Sequence, residues 1–185
     1  MAGRNGILIL SIIGALSGPG LHAAEPGAQF GLLYGLSVPD AQNTNHFMMF
    51  GVKGSGQLSP TYSAGGYFLA SDKQGAPSAE EKFRYALVGI EGAYHVPGNT
   101  GDMYIGLRMG ITKVSTNPNG RDATFSPYHY GVVTGYDYKL FYNVIVGFEG
   151  SYLHVQRGKS PQNGVSILID SFSILNFLAT VQFRL

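Results

Sequence analysis

The chain has 185 residues and a formal net charge of +1, with charged residues at 12%, about half the share found in a typical soluble domain. It holds 27 Gly, 12 Tyr and 11 Phe, with no Cys and no Trp. That composition argues against a helical bundle, a coiled coil or a charge-driven disordered chain, and the near-neutral balance supplies no basic field for nucleic acid. Without cysteine there is no disulfide framework, thiol nucleophile or Cys-ligated metal centre.

Residues 1–24 read as an address. Arg4 is the only charge before Glu25, and Ile7 to Leu16 form a ten-residue apolar run. Gly18-Pro19-Gly20 breaks the run, and Ala23 and Ala24 follow. A basic start, a short apolar core, a breaker and small residues make a secretory signal, with cleavage expected after Ala24 or, as the alternative, after Ala23. Residues 25–185 are then the folded domain. No later stretch is apolar for about 18 residues, so no helix of this chain spans a membrane.

From there on the recurring signal is alternation with period two, bounded by turn residues. Phe30, Leu32, Tyr34 and Leu36 alternate with Gly31, Leu33, Gly35 and Ser37. The stretches 46–55 and 61–70 alternate poorly and leave their facing open. Near 83–95, Val88, Ile90 and Tyr94 oppose Gly89 and Glu91. Met103, Ile105, Leu107, Met109 and Ile111 oppose Tyr104, Gly106, Arg108, Gly110 and Thr112. Tyr128, Tyr130, Val132, Thr134 and Tyr136 oppose His129, Gly131, Val133, Gly135 and Asp137. Tyr142, Val144, Val146 and Phe148 oppose Asn143, Ile145, Gly147 and Glu149. Leu175, Phe177, Ala179, Val181, Phe183 and Leu185 close the series, against Asn176, Leu178, Thr180, Gln182 and Arg184.

Turn-rich segments separate these runs at 39–45, 55–60, 72–81, 97–99, 117–120, 137–139 and 157–164. Seven connections join eight strands, and the absence of helical crossovers makes the strands antiparallel. Eight such strands close into a barrel without free edges. Alternation alone does not say which face points inward, because a soluble carrier barrel and a membrane barrel are inversions of each other. The polar face decides it. A water-washed surface is crowded with Lys and Glu, whereas this face is mostly Gly, Ser, Thr and Asn with isolated charges. Tyr, which favours the membrane–water interface, rims the apolar rows. The expected fold is therefore all-β, an eight-stranded antiparallel up-and-down transmembrane β-barrel.

These features, with a last strand ending FLATVQFRL, resemble the small bacterial outer-membrane β-barrels, the group of OmpA-like, OmpX/Ail-like and opacity-type barrels. The resemblance implies a place in the bacterial outer membrane, contact with its lipid and lipopolysaccharide, and no cofactor. It also implies that the row Phe177, Ala179, Val181, Phe183 and Leu185 is the C-terminal signal read by the barrel-assembly machinery, where the usual final residue is Phe. Periplasmic turns of membrane barrels are short and outer loops long. The outer connections are thus expected near 38–45, 71–82, 115–124 and 156–165, and the inner ones near 55–60, 96–101 and 137–139.

Three sets of residues are candidates for chemistry. Glu91, Arg108 and Glu149 fall mid-strand on the polar face, with Asp137 and Arg184 on the same face. They read as an interior polar network in which Arg108 pairs with Glu91 or Glu149, because unpaired buried charges are costly and eight strands leave room only for side chains. The competing reading is a proton path or a narrow polar channel. Arg84 and Lys113 lie near the outer rim and are candidates for contact with lipopolysaccharide phosphates, against a plain snorkelling role. The histidines lack the His-x-Ser element of the barrel-type lipid A deacylases and lack metal-ligand spacing. Ser126 and His129 are three apart and so on opposite faces. His46, His95 and His154 read as solvated groups near the rims. The function expected is structural or surface-interactive, through outer loops that could meet a surface ligand or host protein, and not enzymatic. The alternatives are a narrow pore, a soluble ligand carrier and a lipid A-modifying enzyme.

Overall fold

The computed structural model describes residues 27–40, 46–72, 74–75, 82–116, 123–162 and 165–185. The secretory signal expected at 1–24 lies outside the described residues. The strands are β1 (Ala28–Pro39), β2 (Phe47–Ser59), β3 (Tyr62–Ser71), β4 (Gln74–Gly75), β5 (Lys82–Pro97) and β6 (Gly101–Thr116). They continue with β7 (Ala123–Phe125), β8 (Tyr128–Lys139), β9 (Val144–Val155), β10 (Gly158–Gln162), β11 (Val165–Ile169) and β12 (Phe172–Arg184). Eight long strands pair in the order β5-β3-β2-β1-β12-β9-β8-β6, and β5 pairs with β6 to close the ring. Every neighbour in that ring is antiparallel. The first and last strands meet, with Phe30 opposite Phe183 and Leu36 opposite Phe177.

Closure follows from the pattern. A strand with one apolar face must bury that face against protein or lipid, and joining both edges leaves no unpaired row of backbone donors and acceptors in oil. Here the apolar rows lie outside. Leu32, Tyr34, Ile90, Leu107, Met109, Tyr130, Phe148 and Phe177 are all exposed, which in water would be a far larger apolar patch than a soluble monomer carries. The barrel is of the membrane-spanning kind. The stretches whose facing was open resolve the same way. In β2, Phe50 and Val52 point out and Lys53 points in; in β3, Phe68 points out and Tyr67 and Leu69 point in.

Three details differ from the sequence reading. The turn expected at 137–139 sits at 140–143, so β8 runs on through Lys139, and Tyr142 leaves its strand row to stand 87% exposed in the turn. The backbone of the turn closes through Leu140 N–H and Phe141 N–H donating to the Val144 carbonyl. The last outer connection extends over 156–171 and contains its own hairpin, β10–β11. The apolar content of 165–169 belongs to that hairpin and not to the final stave. Finally, the inner face is not uniformly small and polar. Its outer half is apolar: Phe47, Met49, Leu69, Tyr85, Leu87, Val114, Leu153, Val155, Phe172 and Ile174 form one buried cluster. The period-two pattern reports which side a residue takes. It does not report whether an inward residue meets water or another inward residue.

Candidate functional site

The polar candidates of the sequence gather in the lumen, which is layered along the axis. At the outer end the apolar cluster is roofed by loop residues. Ala123 and Phe125 of β7 are buried in it, and Ile169 of the outer hairpin packs against it. Phe47 and Tyr85 meet edge to face at 5.4 Å. The few polar groups in this layer satisfy one another: the Tyr85 hydroxyl donates to Ser37 Oγ, Ser37 Oγ donates to Asn176 Oδ1 at 2.5 Å, and Asn176 Nδ2 donates to Ser151 Oγ at 3.0 Å. With those partners made, the groups from Tyr85 to Ser151 are buried and paired, while Asp72 Oδ1 at the same end is buried without a hydrogen-bond partner among the described residues.

An ion cluster fills the middle layer. Arg108 on β6 is 1% exposed. Its Nη2 lies 2.6 Å from Glu91 Oε2 and 2.8 Å from Glu149 Oε1, and its Nε donates to Glu91 Oε2 at 2.6 Å. Arg108 therefore pairs with both carboxylates. Lys53 on β2 completes the cluster, with Nζ 3.0 Å from Glu149 Oε2 and 3.2 Å from the Tyr104 hydroxyl. Tyr104 donates to the same Glu149 oxygen at 3.0 Å. The Arg108 guanidinium lies 4.5 Å from the Tyr67 ring centroid, a distance that adds a cation–π attraction. Tyr67 and Thr112 hold the two ring nitrogens of His129, at 2.5 Å and 2.9 Å. Gly135 makes room for this layer, because a Cβ there would fall 2.5 Å from the Tyr104 ring and 2.6 Å from the Phe148 carbonyl.

Below the cluster lies the mouth at the short-turn, periplasmic end. Asp137 on β8 accepts from Gln182 Nε2 at 2.8 Å and sits directly opposite Asp102 of β6. Lys139 Nζ is 3.9 Å from Asp102 Oδ2. Arg184 is half-buried at the end of β12, opposite Gln29. Ser63 and His95 share a hydrogen bond of 2.8 Å, so His95 is not a simply solvated rim group.

The lumen thus brings Glu91, Arg108 and Glu149 together, and puts Asp137 and Arg184 nearer the mouth. Arg84 and Lys113 are exposed on the lipid side of the barrel, on adjoining strands where Arg84 faces Ser115 and Ala86 faces Lys113. Phe177, Ala179, Val181, Phe183 and Leu185 also face outward. Sequence reasoning missed Lys53, Tyr67, Tyr104 and His129 as members of the interior network. A signal for Lys53 did exist: a lone ammonium between outward Val52 and Gly54 has to face inward, since the alternative is hydrocarbon.

A closed eight-stranded antiparallel ring with lipid-facing apolar rows and an ion-paired lumen is a barrel of the bacterial outer-membrane type. No family profile matches the chain, and no curated protein matches it. Solved structures do. Neisserial surface protein A (NspA) aligns over 89% of this chain and 99% of its own, at 14% identity and a TM-score of 0.67. Ail, the attachment invasion locus protein of Yersinia pestis, aligns over 88% and 100%, at 13% identity and 0.60. OprG of Pseudomonas aeruginosa aligns over 88% and 98%, at 9% identity and 0.57. At these identities the likeness is one of fold.

Proposed function

We propose that the protein is a closed structural or surface-recognition barrel of the outer membrane, acting through its outer loops, and not a pore. The observation that carries this reading is the sealed lumen. An apolar plug in the outer half is stacked on a cluster in which Glu149 touches both Lys53 and Arg108, which among the described residues argues against a continuous polar path. The outer connections, at 40–46, 72–81, 117–127 and 156–171, all exceed the inner ones at 60–61, 98–100 and 140–143, which favours an outward-directed role. Among the fold's relatives, one is named a surface protein, one is named for attachment and invasion, and the latter was solved with the heparin analogue sucrose octasulfate. Those descriptions agree with recognition at the loops and motivate a search for a surface ligand or host protein. Planar-bilayer recording tests the reading. Folded protein inserted at single-molecule level should give no steady current above the bare bilayer, and sustained open-channel steps would replace this proposal with the pore.

In that role residues 1–24 serve as the removed secretory signal, and the outward row Phe177 to Leu185 is the mark read by the assembly machinery. Arg84 and Lys113 hold lipopolysaccharide phosphates, as two cations on adjoining strands at the level of the outer leaflet can do by charge-assisted hydrogen bonds. Arg84→Ala with Lys113→Ala should lower the lipopolysaccharide retained by the extracted protein. Unchanged retention assigns both side chains to ordinary snorkelling.

A further inference from the structure

We infer that Ser63, just inside the periplasmic mouth, is an activated nucleophile that takes an acyl group from a carboxylic ester. Ser63 and His95 stand on neighbouring strands, with Ser63 opposite Ala93 and His95 two residues further along β5. The Ser63 Oγ lies 2.8 Å from His95 Nε2, the separation at which an imidazole removes a hydroxyl proton as attack begins. Both side chains face the lumen one or two residues inside the mouth. β3 begins at Tyr62, and the His95 amide donates to the Thr61 carbonyl in the turn itself at 2.7 Å. Ser63 is 9% exposed and His95 half-buried, and the pair is approached from the short-turn end without crossing the ion cluster.

A third group lies nearby without touching the ring: Asp102, whose Oδ2 is 3.9 Å from Lys139 Nζ. Nε2 accepts the serine proton only when the ring carries its own proton on Nδ1, and that tautomer is held by an acceptor beside Nδ1. Asp102 stands diagonally across from His95, two residues before its cross-strand partner Tyr104. Diagonal neighbours are roughly 7–8 Å apart at the backbone and within reach of long side chains. Asp102 is 7% exposed, and its Oδ1 has no hydrogen-bond partner among the described residues. A buried carboxylate oxygen without a donor is costly, and a side-chain shift that joins the His95 Nδ1–H to it would remove that cost and fix the tautomer. The Tyr104 ring, 5.6 Å from the imidazole between centroids, walls the other side. None of these three residues belongs to the Lys53–Glu149–Arg108 cluster, so the inference goes beyond the sealed-barrel reading and stands apart from it.

In the step, Ser63 Oγ attacks the ester carbonyl and its proton passes to His95 Nε2. The carbon–oxygen bond to the alcohol then breaks, the departing alkoxide takes the proton from His95, and Ser63 is left as its acyl ester. Water, deprotonated by His95 in the same manner, can return the serine and release the acid.

The test uses the full-length chain folded in detergent and a fluorophosphonate probe, which phosphonylates activated serines with loss of fluoride. The wild type should be labelled, with peptide mass mapping placing the adduct on Ser63. Ser63→Ala should abolish the adduct, and His95→Asn should slow labelling roughly a hundredfold, the scale of a lost general base. Heat-modifiable gel migration establishes that each variant is folded. The inference is overturned if folded wild type takes no label at Ser63, or if heat-denatured wild type is labelled as fast as folded. Equal labelling of folded His95→Asn overturns it as well, since Ser63–His95 is then an inert structural hydrogen bond.

Discussion

At the scale of single residues, Glu149 is the keystone of the lumen. One oxygen takes Lys53 and Tyr104 and the other takes Arg108, in a place where both cations are buried. Removing one partner of a buried ionic set leaves the others uncompensated and costs about 3–5 kcal/mol. Glu149→Gln should therefore lower unfolding stability by that amount, read as a shifted urea midpoint of the lipid-folded protein. Glu91→Gln should cost less, because Arg108 keeps Glu149 and Glu91 is already partly exposed. A Glu91 effect equal to that of Glu149 would show that the two carboxylates share Arg108 evenly. Lys53 explains why part of this site escaped the sequence. It sits in a stretch where Gly51, Gly54 and Gly56 leave neither face distinctly apolar, so the alternation that places Arg108 and Glu149 is silent there.

At the scale of strands, β6 shows both solvents of this protein in consecutive residues. Leu107 is 63% exposed toward lipid while Arg108 beside it is 1% exposed in the lumen. Exchanging the character of one position exposes the difference. Leu107→Arg should cost about 2–4 kcal/mol, the penalty for a cation on the lipid face near mid-membrane. On β9, Leu153→Ala opens a hole in the fully enclosed outer cluster and should cost about 2–5 kcal/mol. Both are measured in the same urea series. A Leu153 variant as stable as wild type would mean that the outer half of the lumen is loosely packed and not a plug. The turn falls at 140–143 and not at 137–139 because Asp137, a turn-former by composition, lies inward against Gln182. A tertiary partner overrides the local preference.

At the scale of the whole molecule, the ring is closed by the meeting of β1 with β12 and of β5 with β6, so the barrel has no frayed edge from which to unfold. Folded protein should migrate on a cold gel as a compact species and shift on boiling. Absence of that shift in a sample that spans vesicles would contradict a closed ring. The plug also predicts that Arg108→Ala with Glu149→Ala leaves bilayer conductance at the background level, since the apolar half remains. Current appearing in that double variant would make the ion cluster the sole barrier.

The eight staves, the lipid side of most of them and the inward place of Arg108, Glu91 and Glu149 are properties of neighbours in the chain. Period-two alternation is a local signal, so a sequence carries it whole. What closure decided is which inward groups meet. Lys53 reaches Glu149 across 96 positions of sequence and Ser37 reaches Asn176 across 139. The same closure gathers the inward Leu, Met and Phe side chains of separate strands into one outer plug. Such encounters depend on the stagger of the ring and on which strands lie opposite across the lumen, and no window along the chain contains both partners.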